Sequence, residues 1–319
     1  TAGRHSAFAP VALGYLAEAA IAKVGEGQLI VSLHSNTSEL FEVIQKDKPD
    51  IVALSNYCWN AELTKTVFSQ AKIWNPQVIN IAGGWEFPSE PDECLVYLEY
   101  RKEVDFYVFQ EGETTFANLI DSIWRGESTA ELKRNSKQGV MNLHPESGAL
   151  VAGKSPSRME NLDVIPSPYL SGLMDKFLDG THMPFIESVR GCPYACTFCT
   201  AGAESYNKIY GFSIDRIKQE VDYITERMTT FADVPLAIAD SNFGMLKRDE
   251  ELAEHIGSLQ ETYGWPRVFD VSTGKSQFSR IVRVAKKLNK GLTISISPQS
   301  MNIPTVNAIQ RKNLGGDKM

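Results

Sequence analysis

The sequence predicts an α/β protein of two parts, a Rossmann-like doubly wound parallel sheet followed by a partial (β/α) barrel. Three observations carry that expectation. Short apolar runs alternate with amphipathic segments from Val11 to about Arg125, the same alternation resumes after Pro184, and a stretch with little periodicity and four prolines, Ser155 to Pro184, lies between them. The 319-residue length suits about two domains, and 43% hydrophobic content supplies their cores.

In chain order, the first part reads as a helix over Val11–Lys23, a strand over Gln28–Leu33, and a helix whose start is marked by Thr37–Ser38. A strand over Asp50–Ser55, a helix over Glu62–Trp74 and a strand over Gln77–Ala82 closed by Gly83–Gly84 follow. A helix opened by Pro91–Asp92, a strand over Asp105–Phe109 and a helix over Thr114–Trp124 complete the alternation. Gln138–Gly153 reads as two short strands about a Pro/Ser/Gly turn. These patterns divide the chain into residues 1–130, a hairpin and proline-rich linker over 131–183, and residues 184–319. The last part reads as four strand–helix units, their strands at Pro184–Arg190, Pro235–Asp240, Arg267–Ser272 and Leu292–Ser297, with a last helical piece through Val306–Asn313. The chain opens at Thr1 on a helix rather than a strand and stops just after the fourth unit, an arrangement expected of a fragment cut at both ends.

Composition narrows the function. A formal net charge of -7 provides no basic field for a phosphate backbone, so nucleic-acid binding is not expected and a small-molecule or peptide partner is. No apolar run approaches the roughly 20 residues that span a bilayer, and the first ten residues lack a signal-peptide layout, so a cytoplasmic protein without membrane association is expected. Three of the five cysteines fall between Gly191 and Cys199, and clustered thiols in a reducing compartment are metal ligands or redox groups more often than disulfides.

Cys192, Cys196 and Cys199 follow a predicted strand with spacing C-x-x-x-C-x-x-C. Structural zinc needs four ligands, and no fourth is near: His182 precedes the first cysteine by ten positions, and Cys58 and Cys94 lie in the first part. A redox pair of Cys196 and Cys199 leaves Cys192 unexplained. A four-iron cluster held by three thiolates would keep one iron open to a non-protein ligand. The run Cys192–Pro193–Tyr194–Ala195–Cys196–Thr197–Phe198–Cys199 resembles the signature of radical S-adenosylmethionine (SAM) enzymes. The resemblance implies a [4Fe-4S] cluster on the three cysteines, SAM chelating the open iron, and Phe198 near the adenine. Two later turns are similar to family landmarks: Asp240–Ser241–Asn242–Phe243, expected near the SAM amino group, and Gln299–Ser300, expected at the ribose.

In the first part, Gly83–Gly84 is not a dinucleotide fingerprint. Together, Leu54–Ser55–Asn56–Tyr57, Gly83–Gly84–Trp85–Glu86 and Glu111–Gly112–Glu113–Thr114–Thr115–Phe116 resemble the cobalamin-binding domain that precedes many radical SAM domains. The resemblance implies cobalamin at the strand C-terminal ends, its nucleotide tail beside Ser55 and a glycine turn with no β-carbon to fill its space, and Trp59, Trp85 and Tyr57 as walls for the corrin. Neither His5 nor His34 sits in D-x-H-x-x-G, so no histidine is expected on cobalt; Cys58 and Cys94 read as packed thiols.

The activity so implied is cobalamin-dependent radical SAM methylation: an electron donor such as flavodoxin or ferredoxin reduces the cluster, SAM is cleaved to a 5′-deoxyadenosyl radical, the radical takes hydrogen from an unactivated carbon, and methylcobalamin supplies the methyl group. A cobalamin-dependent cyclase or rearrangement enzyme stays open, as does a non-catalytic iron–sulfur or metal-binding module. Methylthiotransferases fit less well, since their first domain carries its own cysteine triad.

Overall fold

The computed structural model describes residues 7–202, 206–289, 291–295 and 297–311. The chain divides into two compact units, one of residues 12–158, the other of Met159 onward together with the short stretch ending at Val11. That stretch carries β1 (Ala7–Phe8) and leads into α1 (Val11–Val24).

The first unit continues with α2 (Thr37–Asp47), β2 (Ile51–Ser55), α3 (Ala61–Trp74), β3 (Ile79–Gly83), α4 (Pro91–Tyr100), β4 (Phe106–Val108), α5 (Glu113–Trp124), α6 (Thr129–Arg134), β5 (Val140–Leu143) and β6 (Leu150–Ala152). Its sheet has the order β2-β3-β4-β5-β6; the first three strands are parallel and the hairpin β5–β6 adds two antiparallel ones. Side chains alternate across a strand, and here both faces are apolar. Ile79, Ile81, Phe106 and Val108 pack with Ala20 of α1, Phe116, Leu119 and Ile120 of α5 and Leu132 of α6. Val52, Ala82 and Tyr107 pack on the opposite face with Ile44 of α2, Val67, Phe68 and Ala71 of α3 and Leu98 of α4. Helices on both faces make the sheet doubly wound, as expected.

Two local expectations differ. Gln28–Leu33 forms no strand: it joins no ladder, and Ile30 is fully exposed. Its apolar residues run consecutively rather than alternating, so the run specifies no buried face. The cap of α2 is Asn36, one residue before the expected start; its Oδ1 accepts the Ser38 and Glu39 amides at 2.9 and 3.2 Å.

The second unit contains β1, β7 (His182–Met183), β8 (Phe185–Ile186), β9 (Val189–Arg190), β10 (Tyr210–Gly211), α7 (Ile214–Met228), β11 (Leu236–Phe243), α8 (Lys247–Tyr263), β12 (Phe269–Thr273), α9 (Phe278–Lys287) and α10 (Ile303–Ala308). β8, β11 and β12 form a parallel sheet in the order β12-β11-β8, β1 pairs parallel with β7, and β9 pairs antiparallel with β10. Residues 159–183 pack within this unit: Leu162, Ile165, Tyr169, Met174 and Phe177 are buried. The Tyr169 hydroxyl donates to the Phe185 carbonyl at 3.0 Å, and Ser167 Oγ donates to Glu220 of α7 at 2.6 Å.

Three strand expectations differ here. Pro184–Arg190 is not one strand but two, β8 and β9. The fourth expected strand is absent among the described residues 291–295, and Ile296 lies outside them; Thr273 Oγ1 instead donates to the Ser295 carbonyl at 2.5 Å and accepts its amide at 3.1 Å, a side chain satisfying groups that a ladder would use. β11 does not stop at Asp240 but runs on through Phe243. The last helix spans Ile303–Ala308, earlier than expected, and residues 312–319 lie outside the described residues.

In the first unit Asp105, buried just before β4, accepts Lys72 at 2.6 Å, Lys133 at 2.7 Å and the Asn80 amide at 2.8 Å. Replacing it with Asn strands two ammonium groups around a neutral side chain. Asp105→Asn is expected to lower the unfolding free energy of this unit by about 2 kcal/mol or more, measured by urea denaturation.

Candidate functional site

The cysteine loop begins where β9 ends, and the side chains of β11 explain its shape. Asp240 is only 2% exposed; its Oδ1 accepts the Ser188 amide at 2.8 Å and the Val189 amide at 3.1 Å, and its Oδ2 accepts the Ser188 hydroxyl. The carboxylate binds these two successive amides where β8 gives way to β9, at Glu187–Val189. Two residues further along β11, Asn242 Nδ2 lies 3.3 Å from Cys192 Sγ.

Two glycines frame the loop. Gly191 adopts φ +107°, and a β-carbon there would stand 2.0 Å from the Lys208 carbonyl oxygen; one at Gly202 would stand 2.4 Å from the Cys196 carbonyl oxygen. The Cys192 amide donates to the Tyr206 carbonyl at 2.9 Å and the Thr197 amide to Ile309 at 3.2 Å. Cys192 and Cys196 are buried in a small cluster with Tyr194 and Met245, while Cys199 is half-buried. The Tyr194 hydroxyl lies 2.6 Å from Ser276 Oγ. Among the described residues, no three His, Cys, Asp or Glu side chains converge to hold a metal ion. The loop's case as a metal site therefore rests on its donor set, three thiols within eight residues, two of them shielded from water.

Asp240 was expected beside a ligand amino group, but its two oxygens are engaged by Ser188 and Val189. Burial pushes its carboxyl above the ordinary value, opposed by these hydrogen bonds and by the Arg248 charge. Asn242 Oδ1 is buried without a hydrogen-bond partner among the described residues. Phe198 is about half exposed, with the Arg311 guanidinium 5.8 Å from its ring centre. Gln299 is exposed in the left-handed region at φ +65°, and Ser300 Oγ accepts the Asn302 amide at 3.1 Å. Ser188, Arg248 and Gly202 take part in this arrangement without any mark in the local pattern; only their tertiary neighbours reveal them.

In the first unit, the expected residues gather at the C-terminal ends of β2 and β3. Asn56, expected to face a ligand, is enclosed instead: its Nδ2 lies 2.8 Å from the Glu86 carbonyl and 2.7 and 3.2 Å from the Tyr97 and Tyr107 hydroxyls. Gly84 (φ +135°) is required for a reason other than ligand space, since its β-carbon would stand 2.4 Å from the Asn56 carbonyl oxygen. A β-carbon at Gly83 would stand 3.1 Å from the Val108 carbonyl oxygen. The Ser55 carbonyl accepts Asn60 Nδ2 and Thr64 Oγ1, each at 3.1 Å. Tyr57 and Trp59 stack with centroids 4.7 Å apart, and Trp59 and Trp85 are largely exposed. Glu111 pairs with Arg158 at 2.6 Å, and Gly112 stands at the start of α5. Cys94 is buried, donating to the Pro88 carbonyl at 3.2 Å, whereas Cys58 is exposed rather than packed because it sits on the same outer turn as Trp59. His34 pairs with Glu39 at 3.0 Å; His5 lies outside the described residues.

Residues 4–120 match the B12 binding domain family. The chain is 32% identical over 279 residues to the 2-(S-pantetheinyl)-carbapenam-3-carboxylate methyltransferase of Streptantibioticus cattleyicolor, covering 84% of this chain and 39% of that protein. It is 30% identical over 283 residues to the cobalamin-dependent radical SAM methyltransferase TokK of Streptomyces tokunonensis, covering 85% and 39%. The chain thus spans about two fifths of the length of these curated relatives. Among solved structures it is similar to the cobalamin-dependent S-adenosylmethionine radical enzyme OxsB with aqua-cobalamin and S-adenosylmethionine bound (TM-score 0.65, 18% identity, 96% of this chain and 43% of that one). It is also similar to the radical S-adenosylmethionine methyltransferase TsrM from Kitasatospora setae (TM-score 0.67, 15% identity, 97% and 60%). These structural likenesses establish the shared α/β fold.

Asp249, in the first turn of α8, has its carboxyl pushed up to about 7 by burial, with the nearby Asp240 charge adding to the rise and hydrogen bonds from Leu246 and Gly244 opposing it. The folded chain therefore holds a proton that the unfolded chain releases above about pH 4, and the stability this group contributes is lost as pH rises from there through about 7. In denaturant titrations over that range, the stability of the wild type relative to Asp249→Asn is expected to fall as pH rises. A difference that stays constant or grows contradicts the assignment.

Proposed function

We propose that this chain supplies the cobalamin- and SAM-binding parts of a cobalamin-dependent radical SAM enzyme that methylates an unactivated carbon of a small-molecule or peptide substrate. The observation that carries this reading is the three-cysteine loop, set by β11 side chains at the C-terminal end of a parallel sheet, in a chain whose residues 4–120 match the B12 binding domain. The names of TokK and TsrM support it.

In donor chemistry the side chains suit the groups required. Cys192, Cys196 and Cys199 would hold the cluster, and the shielded positions of the first two limit access of water. The open acceptor Asn242 Oδ1 is suited to an ammonium donor such as that of SAM, in place of the engaged Asp240. In the first unit, the exposed stack of Tyr57 on Trp59, with Trp85 at the end of the neighbouring strand, gives an aromatic surface where doubly wound sheets bind ligands. When bound, these cofactors supply one-electron reductive cleavage of SAM and a transferable methyl group. The protein's part is to orient them and exclude water. An electron donor of the flavodoxin or ferredoxin kind completes the proposal.

The test uses the chain reconstituted anaerobically with iron, sulfide and cobalamin. The wild type is expected to hold iron and to release 5′-deoxyadenosine from SAM on reduction. Alanine at Cys192, Cys196 or Cys199 is expected to abolish that release while leaving cobalamin binding, measured by its visible spectrum, intact. Continued release from any of these variants would remove the proposed role.

A further inference from the structure

β11 carries two buried polar side chains, Asp240 and Asn242, in the stretch between Ile238 and Phe243 where its register with β12 shifts. Asp240 engages the backbone four and three residues before Cys192, at Ser188 and Val189. Asn242 reaches the sulfur of Cys192 itself at 3.3 Å, within hydrogen-bonding range for sulfur. The contact is buried at both ends, Asn242 being 7% and Cys192 4% exposed. The Asn242 backbone is also held, its carbonyl accepting the Met245 amide at 3.2 Å. A thiolate can only accept, so the amide must present its N–H₂ end to Cys192 and its oxygen elsewhere. The unpartnered Oδ1 agrees with that orientation.

We infer that Asn242 is a positioning residue that donates its side-chain N–H to the Cys192 thiolate, seating that ligand and raising the reduction potential of the cluster bound there. This rests on the reading above that the three cysteines hold an iron–sulfur cluster. A donor to a ligand sulfur draws negative charge off it and stabilises the reduced state, which carries one more electron. Without that donor, the same three ligands hold a cluster that is harder to reduce. Among the described residues, Asn242 is the side chain shown donating to a cysteine sulfur of this loop.

The experiment is a redox titration of the reconstituted full chain without SAM, followed by electron paramagnetic resonance, for wild type, Asn242→Leu and Asn242→Ser. Iron and sulfide content are measured first. The expected result is a midpoint potential shifted to more negative values in Asn242→Leu and by less in Asn242→Ser, whose hydroxyl retains a donor. Pulsed resonance of protein labelled at the asparagine side-chain nitrogen is expected to show coupling to the reduced cluster in the wild type and none in either variant. Should Asn242→Leu fail to fold or load, the Ser variant and the wild-type nitrogen coupling decide. Unchanged potentials with a full cluster, or no nitrogen coupling in the wild type, overturn this inference while leaving the cysteine assignment standing. A wild type that takes up no cluster overturns the functional reading, and this inference with it.

Discussion

The arrangement of the second unit depends on one buried carboxylate. Asp240 collects the Ser188 amide and hydroxyl and the Val189 amide, and in doing so ends the run of β8 within the sheet. A strand continuing in register would have set Gly191 opposite Phe243, the last residue of β11, and Cys192 one position beyond it. The carboxylate converts that continuation into a turn, and β9 pairs with β10 instead of with β11. A buried carboxylate is costly unless its lone pairs are satisfied; here three donors from the segment it shapes offset part of that cost, and burial still leaves the carboxyl above its ordinary value. Gly191 and Gly202 extend the same constraint, because each brings backbone against backbone at distances that no side chain would allow.

The same economy operates at the ends of β2 and β3 in the first unit. The Asn56 amide, the Tyr97 and Tyr107 hydroxyls and the Glu86 carbonyl form a closed polar knot beneath Gly84. Burial raises the phenol pKa of both tyrosines, keeping them neutral; both hydroxyls accept from Asn56 Nδ2, and that of Tyr107 donates to the Gly84 and Glu86 carbonyls. The knot fixes the glycine turn from below, while the Tyr57–Trp59 stack and Trp85 remain outside it. Landmark residues at these strand ends thus divide into those that hold the turn and those that the turn presents.

Much of the fold was legible because its elements follow local rules. α4 begins at Pro91, as a proline at the first helical position predicts, and the hairpin β5–β6 follows from two short runs about a turn. Failures came where a partner from far along the chain decides. Gln28–Leu33 has strand composition but pairs with no strand among the described residues. Pro184–Arg190 reads as one strand until Asp240, some fifty residues on, is seen to take its amides. At the site, the cysteine spacing was plain in the sequence, and the presence of Asp240 and Asn242 near it was suggested by their turn. Their actual roles were not readable: which oxygen meets Ser188, and which amide nitrogen meets Cys192, are facts of tertiary register. The glycine at position 84 shows the same limit, its need being plain and its cause lying in the Asn56 backbone.

Native-state hydrogen exchange at the Ser188 and Val189 amides tests most directly whether the Asp240 carboxylate holds the entry to the cysteine loop. Both amides should exchange slowly in the wild type and much faster in Asp240→Ala, while the β11–β12 amides near Leu236 keep their protection. Equal exchange at Ser188 and Val189 with and without the carboxylate would contradict the account.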